Sequence, residues 1–200
     1  PITRETDWFT LRDARLHLRP YTHPHPEVAV AAMISPSGPR AAGRFGCSLL
    51  SIGATQRAGI DLLGQAWQVM EERSAQFGNV ADRRQWRLVT LMHLAETREQ
   101  AVRDVEFGLS EYARYFREVA ALPIFPDVPV EQLVDQLMNS GAAVIGTPED
   151  AIELIQHLID ESDGGFGTLL LQAHEWANPE ATKRSYELFA QYVLPHFDPH

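Results

Sequence analysis

Two stretches of this chain gather side chains that could do chemistry. The first is Ile34-Ser35-Pro36-Ser37-Gly38, with Arg40 close behind. Two hydroxyls, a glycine and the amides of a helix start fall together there. A helix N-terminus attracts anions, because its first N–H groups lack intrahelical partners and the dipole is positive at that end. With Arg40 adding charge, Ser35, Ser37 and Gly38 read as a phosphate seat. They read equally well as a serine cap with no ligand. The second stretch is Gln172-Ala173-His174-Glu175-Trp176-Ala177-Asn178, the densest polar and aromatic cluster in the sequence. Gln172 and Trp176 are candidates for lining a substrate site, and His174 for acid–base work. Neighbours on a strand face opposite ways, so His174 and Glu175 would not both reach one ligand.

Three further places bear on chemistry. Met92-His93 ends an apolar run, and a histidine there is a candidate acid, base or donor to an oxyanion, or else a structural residue. Ser51-Ile52-Gly53-Ala54 ends another. Its small residues leave room for a planar ligand, or simply make a tight turn. His23-Pro24-His25 has no third ligand at usable spacing and its prolines fit a loop, so no metal site is expected. Cys47 opens an apolar run and reads as core.

The elements that must position these groups follow from periodicity. Residues 13–19 alternate apolar and charged side chains and predict a half-buried strand. Residues 28–34, 47–52, 86–93 and 168–172 are apolar on both faces, as in the covered strands of a parallel sheet. Helices are expected over 40–45, 61–77, 97–120, 130–139, from the Thr147-Pro148-Glu149-Asp150 start, and over 180–194. In the first long helix Ile60, Leu63, Trp67, Met70 and Ser74 form the buried stripe. In the last, Tyr186, Phe189 and Val193 face inward. Thr97 and Gln100 make a capping box. Asn178 caps the last helix ahead of Pro179. Residues 122–129 carry three prolines and read as a long irregular loop. Four apolar strands alternating with helices make a parallel α/β architecture. No Gly-x-Gly-x-x-Gly follows a strand, so a dinucleotide fold lacks its fingerprint.

Composition narrows the function. The 200 residues carry a net charge of −10, which argues against a nucleic-acid partner. A single cysteine excludes a disulfide framework. No apolar run approaches a membrane span and no leader is visible, so the expected location is the cytoplasm. An opening Pro1 in place of Met fits a piece of a longer chain.

The sequence resembles the bacterial-luciferase-like flavin-dependent monooxygenases, in particular the limonene-monooxygenase-like branch. The resemblance rests on Val30-Ala31-Ala32-Met33-Ile34-Ser35-Pro36-Ser37-Gly38-Pro39-Arg40-Ala41-Ala42-Gly43-Arg44-Phe45-Gly46. It is carried further by Thr97-Arg98-Glu99-Gln100-Ala101, by Ile145-Gly146-Thr147-Pro148-Glu149-Asp150-Ala151 and by residues 189–197. It implies a (β/α)8 TIM barrel of which residues 1–200 are a single partial domain, the C-terminal half, with about four β/α units. It implies reduced FMN, or a deazaflavin in some branches, supplied by a flavin reductase and used with O2 to oxidise a small, apolar organic substrate. The turn that holds the flavin phosphate in the family matches Ile34 to Gly38, with Ser35 on a phosphate-contacting serine. Ile34 and Gly38 stand where luciferase has a glutamate and a threonine, so those two contacts are lost or reduced to backbone. The cofactor-binding set is then Ile34, Ser35, Ser37, Gly38, Arg40 and Ser51. The catalytic candidates are His93 and His174, and the substrate-lining ones Gln172 and Trp176. A half-barrel exposes two sheet edges, which implies a homo-oligomer or a partner half-barrel. The alternatives are a non-catalytic flavin- or phosphate-binding module and a barrel-completing subunit.

Overall fold

The computed structural model describes residues 1–23, 25–55, 57–119, 125, 127–172 and 175–197. The chain begins with an antiparallel hairpin, β1 (Ile2–Glu5) and β2 (Thr10–Ala14). It then alternates strands and helices: β3 (Ala29–Ala32), α1 (Ser37–Phe45), β4 (Ser48–Ser51), α2 (Arg57–Ile60), α3 (Leu63–Gln76) and β5 (Arg87–Leu94). Next come α4 (Arg98–Val105), α5 (Leu109–Glu118), α6 (Val130–Ser140), β6 (Ala143–Gly146), α7 (Pro148–Glu161), β7 (Thr168–Leu171) and α8 (Pro179–Leu188). A π-helical turn, Phe189–Val193, leads into α9 (Leu194–Phe197). Among the described residues no helix is long and apolar enough to cross a membrane.

The strands β3 to β7 pair in parallel. β3 joins β4, and β4 joins the foot of β5. β7 pairs with β5 from Arg87 to Thr90, and β6 pairs with its upper half from Leu91 to Leu94. The outer face carries two clusters. Leu49, Trp67, Trp86 and Leu88 pack under α1, α3 and α7. Met92, Leu94 and Val144 pack under α7, α8 and the π turn. A third cluster caps the carboxyl end, where α4, α5 and α6 meet Ile145, Phe125 and Trp176.

Several sequence expectations are corrected. The half-buried strand over 13–19 is instead the exposed hairpin and an irregular tail, in which Leu16 is 89% and Leu18 85% exposed. No layer covers these residues, so alternation alone did not place them in the core. The helix expected over 97–120 breaks at Gly108. That amide donates to the Trp176 carbonyl at 2.9 Å, and a Cβ at this position would run into the Glu175 carbonyl oxygen. The Thr97 cap forms, with the Gln100 amide donating at 3.2 Å, but the Gln100 side chain turns to Asp104 and does not close the box. β6 is a fifth parallel strand that sequence reading left out. Tyr186 faces solvent, because α8 buries Ser185 and Leu188 instead. The stripe of Ile60, Leu63, Trp67, Met70 and Ser74 is buried as its spacing requires. Asn178 Oδ1 accepts from the Ala181 amide at 2.9 Å, as expected of a cap.

Candidate active site

Alternation along the strands sends one row of side chains outward under the helices and the other to the inner face. Val89 and Leu91 of β5, Leu170 of β7 and the residues just past β3 and β4 line that inner face. At its carboxyl end it is roofed, forming a chamber of about 560 Å³. Met33, Ile52, Val89 and Leu91 make its floor and walls, and Tyr112, Phe116, Phe125 and Leu137 cover it. The carboxyl ends of parallel strands are where α/β folds bind ligands. A more open groove of about 800 Å³ lies between Phe107 and α8. No strand contributes to it, so the chamber is the better candidate.

The chamber is apolar with few polar groups. Thr55 Oγ1 is committed to the Ala142 carbonyl at 3.2 Å. Gln172 lies just past β7, its amide bonded to the Thr90 carbonyl at 2.9 Å, which holds it at the chamber wall. Burial pushes the Tyr112 hydroxyl up to about 12, so it keeps its proton at any physiological pH.

The predicted phosphate seat adjoins this chamber along the chain. Met33 lines the chamber, and Ser35 follows two residues later. Ser35 and Ser37 are exposed, their hydroxyl oxygens 3.0 Å apart, at the first turn of α1. Gly38 lets that helix lie against β3: a Cβ would sit 2.5 Å from Ala32 Cβ. Arg40 is exposed on the same helix, and no acidic side chain among the described residues pairs with it. The Ser35 hydroxyl accepts from the Ser37 amide at 3.3 Å, which is the serine cap that the sequence offered as its other reading. Pro39 has no N–H and the Arg40 amide donates to the Pro36 carbonyl at 3.1 Å, so an anion would meet the two hydroxyls, the Gly38 amide and the Arg40 guanidinium.

Other candidates are placed elsewhere. His93 shares the face of Leu91 but is only 1% exposed, sealed beneath α4 with Nε2 3.2 Å from Asp104 Oδ2. Ser51 is on the outer face, where its hydroxyl accepts from Trp86 Nε1 at 3.0 Å. Trp176 is fully buried, edge-on to Tyr112 with ring centroids 5.6 Å apart. It stands behind the chamber roof and not in its wall. His174 lies outside the described residues. Sequence reading missed the roof. Its signal was the i, i+4 pair Tyr112 and Phe116 on α5, which reads as ordinary helix core.

No protein-family model matches the chain. Limonene 1,2-monooxygenase from Rhodococcus erythropolis is 43% identical over 98% of the chain and 50% of its own length. The oxygenating constituent of 3,6-diketocamphane monooxygenase from Pseudomonas putida, solved in complex with FMN, superposes with a TM-score of 0.60 at 26% identity. That match covers 86% of this chain and 49% of that one. Over nearly its whole length the chain is similar to luciferase-like flavin monooxygenases. The luciferase-like fold is shared more widely: monooxygenase RslO1 from Streptomyces bottropensis gives a TM-score of 0.70 at 22% identity, over 98% of this chain and 56% of that one. The chain spans about half the length of the curated relatives it matches. The parallel α/β sheet matches luciferase-like TIM-barrel structures over about half their length.

Proposed function

We propose that residues 1–200 form the C-terminal half of a luciferase-like (β/α)8 monooxygenase, which uses reduced FMN and O2 to oxidise a small, apolar organic molecule in the cytoplasm. The observation that carries this is continuity. Met33 lines an apolar chamber at the carboxyl ends of the strands, and Ser35 precedes the start of α1 two residues on. A phosphate held by the Ser35 and Ser37 hydroxyls, the Gly38 amide and Arg40 leaves the rest of its cofactor beside the chamber mouth.

In this reading Ile34 and Gly38 shape the turn and contribute backbone only. The bound flavin supplies the oxygen chemistry. The protein excludes water with Met33, Ile52 and Leu91 and orients the substrate through the Gln172 carboxamide. A flavin reductase supplies the reduced cofactor, and a deazaflavin is the alternative ligand. The outer edges of β3 and β7 carry no strand partner among the described residues. Free edges and an open inner face invite association, so a partner half-barrel or a second copy completes the sheet.

Titration of FMN with the purified chain, followed by flavin fluorescence, tests the cofactor reading. Saturable binding that weakens in Arg40→Ala and Ser35→Ala supports it. Absence of binding by both FMN and a deazaflavin overturns it. Oxygen uptake in the presence of reduced FMN then separates an enzyme from a non-catalytic binding module.

A further inference from the structure

The roof of the chamber is built differently from its floor. The floor is aliphatic: Val89 and Leu91 are fixed in β5, and Met33 and Ile52 stand just past β3 and β4. The roof is mainly aromatic and comes from α5 and Phe125, with Leu137 of α6 beside them. Tyr112 and Phe116 have ring centroids 4.9 Å apart. Phe125 meets Phe116 edge-on at 5.3 Å and Tyr112 at 5.6 Å. Tyr112 is backed in turn by Trp176, whose carbonyl is held by the Gly108 amide at the start of α5. The rings form a braced sheet of hydrocarbon over the few polar side chains of the lining, Thr55, Thr90 and Gln172.

We infer that Phe116 and Phe125 are the specificity-determining residues of the chamber, setting the size of the ring system it accepts. The inference rests on the chamber being the substrate site proposed above. The ligand it fits is a compact, ring-bearing apolar molecule with one carbonyl. The rings supply flat apolar surface for edge and face contacts, and the Gln172 carboxamide supplies one N–H donor for the carbonyl oxygen. Two features make the roof the determinant. Both phenylalanines end in the chamber, so shortening them adds volume there. Phe116 is half-buried on a helix face and Phe125 belongs to no helix or strand, so neither carries strand pairing.

The test is a titration of the purified chain with cyclohexanone, 2-decalone and a four-ring steroid ketone, binding heat being read directly. Phe116→Ala and Phe125→Ala are expected to raise the affinity for the steroid ketone relative to cyclohexanone by at least about tenfold, the lower end of what a pocket senses for one methylene. Phe116→Leu and Phe125→Leu, which keep the apolar packing, should shift the ranking the same way by less. An unchanged ranking in Leu variants that retain the parent's melting temperature overturns the inference. Failure of every ketone to bind the parent chain overturns both the inference and the chamber as substrate site. FMN binding is measured in parallel: ketone binding that responds to the roof in a chain that binds no flavin supports the inference and removes only the flavin reading.

Discussion

His93 Nε2 lies 3.2 Å from Asp104 Oδ2, and the other oxygen of that carboxylate accepts from Gln100 Nε2 at 2.6 Å. The three side chains tie the upper end of β5 to α4. Burial lowers the His93 pKa from 6.5, and Asp104 only partly opposes it. The ring is neutral at pH 7 and donates one hydrogen. The unfolded chain takes up its proton near 6.5, before the folded one does. Stability from this group is therefore complete above that pH and is lost as pH falls through the lower, folded value. The melting temperature should drop between pH 7 and 5. In His93→Gln, which keeps a donor for Asp104, the slope over that range should be shallower. An equal slope in both proteins would assign the acid sensitivity to other groups.

Asp150 behaves as an ordinary depressed carboxylate. Burial alone would raise it. Arg98, which pairs with it, and the Thr147 amide, 2.8 Å away, outweigh burial and hold it below its usual value. It closes the capping box of α7. Its contribution is present above the unfolded value of 3.8 and is lost as pH falls through the folded one. Asp150→Ala should cost about 1 kcal/mol at pH 7, the size of a lost helix cap, and less at pH 3, as read by urea unfolding at the two pH values.

Ser51 and Trp86 give a test that separates packing from ligand binding. Removing the Ser51 hydroxyl leaves the buried Trp86 N–H without its acceptor. Ser51→Ala should lose about 1–3 kcal/mol of stability while the affinity for FMN is unchanged. A weakened affinity without loss of stability would return Ser51 to the ligand site.

Gly108 is required for clearance and not for flexibility. Gly108→Ala drives a methyl group into the Glu175 carbonyl and separates α5 from the 175–177 segment. The melting temperature should fall by several degrees, and near-ultraviolet circular dichroism of the Tyr112–Trp176 pair should weaken. Retention of both signals would show that the two segments can part without cost.

The strands were legible because apolar runs between turn signals have few homes other than a parallel sheet, but β3 and β7 are covered on one face only, with Ala29, Ala31 and Leu170 exposed on the other. The helix start after Ser35 was legible because Ser-Pro-Ser-Gly makes a helix start in almost any context. β6 was not: Ala143–Gly146 is four residues long and merges into the cap of α7, so the cap signal hid the strand. Trp176 and His93 looked like site residues because they are polar or amphipathic groups near strand ends. Whether such a group faces a chamber depends on the helix laid over it, and α4 and α5 are placed by contacts remote in sequence. The break at Gly108 is of the same kind, since its cause lies at Glu175 and Trp176.

β5 is eight residues long, and it shares ladders with β4 and β7 at its foot and β6 at its head. To free that one strand, three pairings must be stripped at once. Its amides should then be the last in the chain to exchange with deuterium, and none of β4, β6 and β7 can be released without exposing it. The alternating modules are thus bound into one cooperative unit by a single shared strand, so heat should melt them together in a single transition.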